Sequence, residues 1–552
     1  MGLTEERAPG AVPEQMAATP PSSPLEAAER ARAAGDHHTA LGLYDAALAV
    51  SPDRADALAG RGACLRALGH PHEALVALLQ ALSRDPARMD ARLDLALALR
   101  ETGRRDEART LYGLLLRSAD APAQAWHGLA LLVLAEGGEA AAEACLRRAV
   151  ALAPDGIGPR LDLADLLARR ADLPAAVDLY HDVLAIRPGT AAGHAGLAQA
   201  LIGLGRLDEA EDQLERALAL DADAAIAHLA RARLNLLAGD LPAAWDDLEW
   251  RWSMRGRRRP EPPGVPWDGN ADLHGHTVLL WAEPGLGEAI HLLRYVPLVA
   301  ERGAKVVLGV PAALAPLAAG LRGVAHVAVS GQPIPDGVEI DFHASLTDLP
   351  RLFGTALSQL PPAPYLSVPT GHRPPVQAPP TALLKVGLVW AGPRAAWTIP
   401  LTQLTPLLAQ PGIALFGLQT GKRAHDLAET LHPALVTDLS PSVSDYADLA
   451  GRLAEMDVVI TVDGPAAHLA GALGVPVWVL LPVAPDWHWM LEREDRPGIP
   501  RPGCSAKPGR TIGMPRSRRS AGPCASRWPR PAPAASSNPW PMPARPPPNA
   551  PS

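Results

Sequence analysis

A short pattern recurs along the first half of this chain: a glycine, once replaced by alanine, is followed five residues later by an alanine. The pattern occurs seven times at a spacing of 34 residues, at Gly35/Ala40, Gly69/Ala74, Gly103/Ala108, Gly137/Ala142, Ala171/Ala176, Gly205/Ala210 and Gly239/Ala244. A helix-breaking position follows 17 residues after each of the first six glycine-like positions, at Pro52, Pro86, Asp120, Pro154, Pro188 and Ala222. A period of this length predicts a solenoid of stacked helical units and not one compact core.

Each unit has the small and large positions that two packed helices need. Small residues recur where the paired helices would touch, because a larger side chain there would hold the backbones apart; they are Gly62, Ala96, Ala130, Ala164, Ala198 and Ala232. Large residues follow each alanine by four positions: Tyr44, Leu78, Tyr112, Leu146, Tyr180, Leu214 and Leu248. Over residues 25–253 the chain resembles the tetratricopeptide repeat (TPR), with about seven repeats. That resemblance implies an α-solenoid of helical hairpins with a groove for a protein or peptide partner.

Composition excludes several classes of function. The net charge is −8, so the chain lacks the basic character of a nucleic-acid-binding protein. The initial segment MGLTEERAPG has no apolar signal sequence, and no run reaches the ~18 apolar residues of a membrane span. The four cysteines show no CxxC spacing. We therefore expect a cytoplasmic protein with neither a nucleic-acid partner nor a membrane span.

The second half alternates short apolar runs with helical stretches. The β-rich runs are residues 277–282, 305–310 and 324–329 and then, after a proline-rich break, 385–391, 413–419, 434–439, 457–463 and 476–482. This alternation predicts parallel sheets covered by helices, arranged as an α/β domain of two Rossmann-like lobes. Ligands of such folds bind beyond the carboxyl ends of the strands.

These patterns divide the chain into six segments. We expect a disordered N-terminal segment at 1–24, the TPR array at 25–253, a linker at 254–275, an N-terminal lobe at 276–380, a C-terminal lobe at 381–495 and a tail at 496–552. The tail has 16 prolines and 10 basic residues in 57 positions, with no Asp, Glu, Leu or Val. One hypothesis is a shift of the reading frame near Arg496. The alternative is a natural, disordered Pro/Arg-rich tail.

Two loops lie where a ligand of the lobes is expected. The first, AEPGLGEAIHLLRY (282–295), follows a strand and begins a helix. Gly285 and Gly287 allow a sharp turn and a close approach of the backbone to a ligand, and Glu288 stands in the first turn of the helix. A glutamate there either takes part in chemistry or only complements the helix dipole, and the latter is the more common case.

The second loop, TVDGPAAHLAGALGVPVW (461–478), is again a strand, a turn and a helix. Asp463 ends the strand, Gly464 shapes the turn, and His468 lies about one turn into the helix. The amides of this helix start are suited to a pyrophosphate, with His468 as a further donor. A lone histidine is otherwise an ordinary core or surface residue. No HExxH motif or carboxylate cluster with metal spacing is present, so we predict no metal site.

These loops, together with a W-x-G segment at 267–269, VGLVWAG (386–392), LQTG (418–421) and PDWHWM (485–490), are similar to one bacterial group. Its members are TPR proteins with a glycosyltransferase family 9-like domain, related to heptosyltransferases and more distantly to protein O-GlcNAc transferases. The resemblance spans about residues 245–495 and implies a GT-B-type fold that binds a nucleotide-sugar as substrate, without a metal or other cofactor. It implies that Glu288 is the catalytic base and that the nucleotide-sugar is bound by Gly285, Gly287, Trp390, Arg394, Gln419, Asp463, Gly464, His468 and Asp486.

The chain departs from that family at two places in the lobes. Pro284 and Glu288 replace the family's glutamine and aspartate, and the polar stretch after WAG is short, which leaves Arg394 as the nearby basic residue. The shortened loop and the altered C-terminus predict impaired catalysis, since charge stabilisation is often the largest catalytic term. Two functions stay open: a metal-independent glycosyltransferase whose TPR array presents a protein or glycan acceptor, and a non-catalytic TPR scaffold with a degenerate glycosyltransferase domain.

Overall fold

The computed structural model describes residues 23–254, 256–334, 337–392, 397–430, 435–482 and 485–490. The predicted tail at 496–552, almost all of the predicted N-terminal segment and the candidate ligand Arg394 lie outside these residues. The chain divides into two compact units, Met1–Ala230 and Arg231–Ser552.

The first unit consists of helical hairpins, which confirms the predicted solenoid. Its helices are α1 (Pro24–Ala33), α2 (His37–Val50), α3 (Ala55–Ala67), α4 (Pro71–Arg84), α5 (Met89–Glu101), α6 (Arg105–Leu115), α7 (Ala123–Ala135), α8 (Glu139–Leu152), α9 (Ile157–Arg169), α10 (Leu173–Ile186), α11 (Ala191–Gly203) and α12 (Leu207–Leu220), and α13 (Ala225–Ala238) crosses the division between the units. The recurring glycines make the turn inside each hairpin, with positive φ angles such as 81° at Gly35 and 84° at Gly69. Ala171 adopts the same backbone with a φ of 64°, which an L-residue tolerates less well than glycine.

The large residues of the repeat pack against small residues on neighbouring helices. A Cβ atom added to Gly62 would lie 2.5 Å from the Leu78 side chain. A Cβ atom added to Gly60 would lie 2.2 Å from the ring of Tyr44, so the aromatic ring rests directly on the helix backbone. Without the glycines, α2 and α3 could not approach as closely as they do.

The second unit begins with the end of α13 and α14 (Leu241–Leu248), followed by two parallel five-stranded sheets. The first sheet has the order β1-β5-β2-β3-β4, formed by β1 (Val265–Pro266), β2 (Thr277–Trp281), β3 (Lys305–Val310), β4 (Val324–Val329) and β5 (Phe342–Ser345). Its helices are α15 (Leu286–Leu292), α16 (Val296–Glu301), α17 (Ala315–Ala318) and α18 (Leu349–Leu352).

Two strands of this sheet escaped the sequence analysis. β1 lies within residues 254–275, which we expected to be a linker, and pairs with β5 from Val265 to Phe342. β5 lies between β1 and β2 and has the sequence FHAS, which lacks the run of β-branched residues that marks a buried strand. Both strands are short, and their pairing across the chain decides their conformation.

The second sheet has the order β10-β9-β6-β7-β8 and is also parallel. Its strands are β6 (Leu384–Val389), β7 (Ile413–Gly417), β8 (Thr437–Asp438), β9 (Val458–Val462) and β10 (Val477–Leu480), and its helices are α19 (Asp426–Thr430), α20 (Tyr446–Leu453) and α21 (Pro465–Leu473). One hydrophobic cluster includes side chains of both lobes, such as Leu280 and Leu308 from the first and Val459 and Leu469 from the second. None of the helices in the described residues has the length and apolar character to cross a bilayer.

Candidate functional site

The strand order of each sheet reverses at one place. In the first sheet the reversal lies between β2 and β5, and in the second between β6 and β9. Loops that leave two such strands diverge and open a crevice at the carboxyl edge of the sheet, where ligands of α/β proteins bind. We call these places the first and second switch points. The predicted site residues Gly285, Gly287 and Glu288 follow β2, and Asp463, Gly464 and His468 follow β9.

The first switch point is filled by an arginine. Arg251 lies in a short 3-10 helix, Glu249–Ser253, and its side chain is only 8% exposed. Its guanidinium donates to Glu283 after β2 at 2.9 Å and to Asp348 after β5 at 2.5 Å. Ser345 Oγ also donates to Glu283, at 2.7 Å. Burial raises the pKa of Asp348 to about 6, although the charge of Arg251 opposes that rise. This crevice is therefore occupied by the protein's own ion pairs, which the sequence analysis did not single out.

The glycines of the first loop have different structural roles. Gly285 precedes α15 with a φ of 146°, a conformation that side chains rarely adopt. Gly287 lies against the other lobe, because a Cβ atom added there would be 2.8 Å from His468 Cδ2. Gly287 thus lets α15 contact α21 where the two lobes meet. It is in contact with the predicted ligand His468.

Glu288 has the electrostatics of a general acid or base. Its residue is half-buried in the first turn of α15. Burial raises the pKa of Glu288 to about 7, and the negative charges of Glu283 and Asp486 add to the rise, while Arg251 and Arg257 oppose it. A carboxyl group that is partly protonated at neutral pH can accept and donate a proton under the same conditions.

Asp486 belongs to the same group of carboxylates but is held in the charged form. It lies before a short 3-10 helix, Trp487–Trp489, and accepts the amide N–H of Trp487 at 2.6 Å. Burial alone would raise the pKa of Asp486, but a hydrogen bond with His488 and the charge of that ring outweigh burial and lower it to about 2. Asp486 and Glu288 therefore differ widely in pKa, a pattern that is typical of paired acid and base groups.

The second switch point contains Asp463, Gly464 and His468. Asp463 is 3% exposed and His468 is 5% exposed, with 4.0 Å between His468 Nε2 and Asp463 Oδ1. The helix α21 begins after Gly464 without a side-chain cap. The backbone of Gly464 is extended, with a φ of 167°, so the turn itself does not require glycine at this position. A Cβ atom on Gly392 would lie 2.7 Å from the carbonyl oxygen of Asp463, which brings the loops after β6 and β9 together.

Trp390 and Gln419 hold the loop that follows β6. Gln419 Oε1 accepts from the backbone amides of Trp390 at 3.1 Å and Ala391 at 2.8 Å, and its Nε2 donates to the Ala391 carbonyl. Trp390 is 2% exposed, and its indole donates to Asp426 at 3.3 Å. Both predicted ligands are engaged in bonds within the protein, so any contact with a nucleotide-sugar stays a prediction.

Three histidines meet where the lobes contact each other. His291 of α15, His468 of α21 and His488 are all buried, and their ring centroids lie 4.6, 5.0 and 5.8 Å apart. The rings of Trp487 and Trp489 flank this cluster, with Trp487 stacked on His488 at 3.8 Å. The sequence analysis missed His291 and His488 as members of the site, although both lie in its quoted segments. The only signal was their nearness to Glu288 and Asp486 along the chain.

Within the described residues, one group has the composition of a metal site: His372, Asp445 and Asp448. Its oxygens already accept hydrogen bonds, since His372 Nδ1 lies 2.8 Å from Asp448 Oδ1 and Asp445 caps α20 by accepting two backbone amides. A helix N-terminus carries partial positive charge, which disfavours a cation. We assign this group a structural role, in which His372 binds Asp448 of α20.

Comparisons with known proteins identify the repeats. Two tetratricopeptide-repeat family models match residues 65–132 with 168–234, and residues 25–89, so the N-terminal half contains TPR repeats. A curated relative, Protein FlbA of Caulobacter vibrioides, is 26% identical over 351 residues. That match covers 58% of this chain and 59% of the relative, so the chain spans about three fifths of the relative's length.

Several solved structures are similar to part of the chain. A tetratricopeptide repeat protein from Parabacteroides merdae is 20% identical and has a TM-score of 0.33, covering 42% of this chain and 92% of its own. YrrB, described as a TPR protein with an unusual peptide-binding site, is 19% identical with a TM-score of 0.28, covering 34% and 97%. The APC/C hetero-tetramer Cut9-Hcn1 is 19% identical with a TM-score of 0.37, covering 41% and 45%.

Proposed function

We propose that this protein is a metal-independent glycosyltransferase whose TPR array holds a protein or glycan acceptor and whose second unit uses a nucleotide-sugar donor. The observation that carries the proposal is Glu288, a half-buried carboxyl group with a pKa of about 7 at the junction of two parallel-sheet lobes. A structural carboxylate in a first helical turn would normally be stabilised in its charged form. The surroundings of Glu288 instead destabilise its charged form and raise its pKa toward neutral pH. A pKa near the working pH is what a general acid or base needs.

In the proposed reaction, Glu288 takes the proton of an acceptor hydroxyl as that oxygen attacks the anomeric carbon of the donor. The new bond joins the acceptor oxygen to the sugar, and the bond from the sugar to the nucleotide diphosphate breaks. The backbone amides at the start of α21 and the ring of His468 are the proposed donors to the departing diphosphate. His468 is 5% exposed and contacts Gly287. The nucleotide-sugar therefore enters only after α15 and α21 separate.

A second candidate is the non-catalytic scaffold, and the enclosure of His468 favours it. The side chain that would meet the diphosphate is packed among His291, His488 and Trp489. If that packing is permanent, the lobes are structural and the function lies in the partner of the TPR array.

Thermal unfolding of the full chain with UDP-, GDP- and ADP-sugars separates the two candidates. For the glycosyltransferase we expect one nucleotide class to raise the melting temperature by several degrees, because ligand at 100 times its dissociation constant stabilises by about 2.7 kcal/mol. His468→Ala should reduce the rise, whereas Glu288→Gln should keep it and lose sugar transfer. No rise with any of the three nucleotides, or an equal rise in His468→Ala, would leave the scaffold as the function.

A further inference from the structure

Three tyrosines of the TPR array occupy equivalent places at a spacing of 68 residues, which is two repeats: Tyr44, Tyr112 and Tyr180. All three are buried. Each ring rests on a glycine of the following helix, at Gly60, Gly128 and Gly196 respectively, where an added Cβ atom would come within 2.2, 2.3 and 2.4 Å of ring atoms or the hydroxyl. The surroundings of the three tyrosine hydroxyls can therefore be compared directly with one another.

In two of these sites the chain supplies an acceptor for the tyrosine hydroxyl. Tyr44 donates to Glu29 Oε1 at 2.6 Å, and Tyr180 donates to Asp165 Oδ1 at 2.5 Å. Both acids lie 15 residues before their tyrosine and are accessible to solvent, with the Glu29 side chain 43% exposed and Asp165 exposed.

The third site has the tyrosine hydroxyl but no acidic residue to accept its hydrogen bond. The residue 15 positions before Tyr112 is Leu97, which cannot accept a hydrogen bond. The Tyr112 hydroxyl is buried and has no hydrogen-bond partner among the described residues. Buried polar groups are almost always paired, so an orphan hydroxyl needs an explanation.

Arg100 occupies the place, 68 residues later, of Arg32, whose Nε donates to the Tyr44 hydroxyl at 3.2 Å. Burial raises the pKa of Tyr112 to about 12, and the positive charge of Arg100 acts against that rise. Arg100 Nε is also buried without a hydrogen-bond partner in the described part of the chain. The neighbouring acids are already engaged, since Arg66 pairs with Asp94 at 3.1 Å and with Glu101 at 3.3 Å.

We propose that Tyr112 and Arg100 form a binding site for a carboxylate of a partner protein, in the place that Glu29 and Asp165 occupy in the equivalent repeats. The ligand is an aspartate or glutamate side chain or a chain terminus. A carboxylate is favoured over a phosphate because, in both equivalent sites, one carboxylate oxygen accepts the hydrogen bond of the tyrosine hydroxyl. Leu97, which is half-buried, turns aside as the ligand enters. The site belongs to the array and does not depend on the function proposed for the lobes.

The test uses the full chain labelled with ¹³Cζ-tyrosine and sodium acetate as the probe, titrated against sodium chloride at constant ionic strength. The chain has six tyrosines, and Tyr112→Phe identifies the resonance of interest. We expect a saturable shift of the Tyr112 resonance with acetate and at least a five-fold weaker response in Arg100→Met. Leu97→Asp supplies the missing acceptor from within and should abolish the response. An unsaturable shift, or an unchanged shift in Leu97→Asp, would contradict the site, and an equal saturable response to phosphate would contradict the choice of a carboxylate.

A stability comparison provides an independent check that needs no ligand. Tyr180→Phe removes a hydroxyl that has an acceptor and should lower the midpoint of urea unfolding. Tyr112→Phe removes a hydroxyl without one and should leave the midpoint unchanged or raise it. If both substitutions lower the midpoint equally, Tyr112 already has an acceptor in the free protein and the proposal is wrong.

Discussion

At the scale of single residues, Glu288 combines two environments that act in the same direction. Partial burial removes water from its carboxyl group, and two further carboxylates, Glu283 and Asp486, lie close enough to repel a charge. Arg251 limits the effect, because it neutralises Glu283 through a bidentate contact. The result is an acid whose pKa of about 7 lies well above the ordinary 4.5.

This shift has a consequence for stability that can be measured. A carboxyl group with a raised pKa in the folded state stabilises the fold while protonated, and that contribution falls as pH rises from about 4.5 through about 7. Glu288→Gln keeps the shape but cannot ionise. We expect the variant to gain stability over the wild type between pH 5 and pH 8, by up to about 3 kcal/mol. Urea unfolding at both pH values measures the difference, and equal differences at pH 5 and pH 8 would show that Glu288 has an ordinary pKa.

At the scale of elements, the contact between α15 and α21 joins the two lobes. It depends on the missing side chain of Gly287, which lets His468 approach, and on the ring cluster of His291 and His488 behind it. The same device occurs in the array, where Gly128 and Gly196 receive the rings of Tyr112 and Tyr180. In both units a glycine sets the distance between two packed helices.

Gly287→Ala places a methyl group 2.8 Å from His468 Cδ2, so α15 and α21 must move apart. We expect a loss of about 1–3 kcal/mol, the usual cost of overpacking. The matched control is Gly320→Ala, whose added Cβ atom meets a carbonyl at an ordinary 3.7 Å. A double-mutant cycle with His468→Ala should recover part of the loss, because the clash partner is then removed. Independent effects of the two substitutions would mean that the helices do not contact each other in this way.

At the scale of the whole molecule, the two compact units are stabilised in different ways. The array consists of repeats that bury alanines and larger apolar residues against neighbouring helices, so its contacts are close in sequence. The second unit relies on contacts between distant segments. Arg251 makes contacts of this kind, since it joins the segment after α14 to the ends of β2 and β5.

Arg251→Met should therefore destabilise the second unit strongly, by about 3–5 kcal/mol, because it leaves Glu283 and Asp348 buried without their cation. Arg258→Met is the matched control, since Arg258 is 87% exposed and its pair with Glu261 lies at the surface. Urea unfolding followed by tryptophan fluorescence reports the second unit, which contains most of the 13 tryptophans. A similar, small effect of both substitutions would show that the ion cluster at the first switch point contributes little.

Local pattern was enough for the repeats, the hairpin turns at residues such as Gly35, and the strands with continuous apolar runs, such as β3 and β9. Helices and buried strands of this kind need few distant contacts to choose their conformation, so composition and period predict them. The loops with Glu288 and Asp463 could be located for the same reason, as ends of such strands.

Local sequence pattern could not predict three contacts of the second unit. These are the pairing of β5 with β1, the ion pairs of Arg251, and the packing of His468 against Gly287. These contacts join residues that lie between 32 and 181 positions apart in the sequence, and no residue of a pair carries a local signal of its partner. Burial and charge at the junction, and therefore the raised pKa of Glu288, arise only when the chain has brought those segments together.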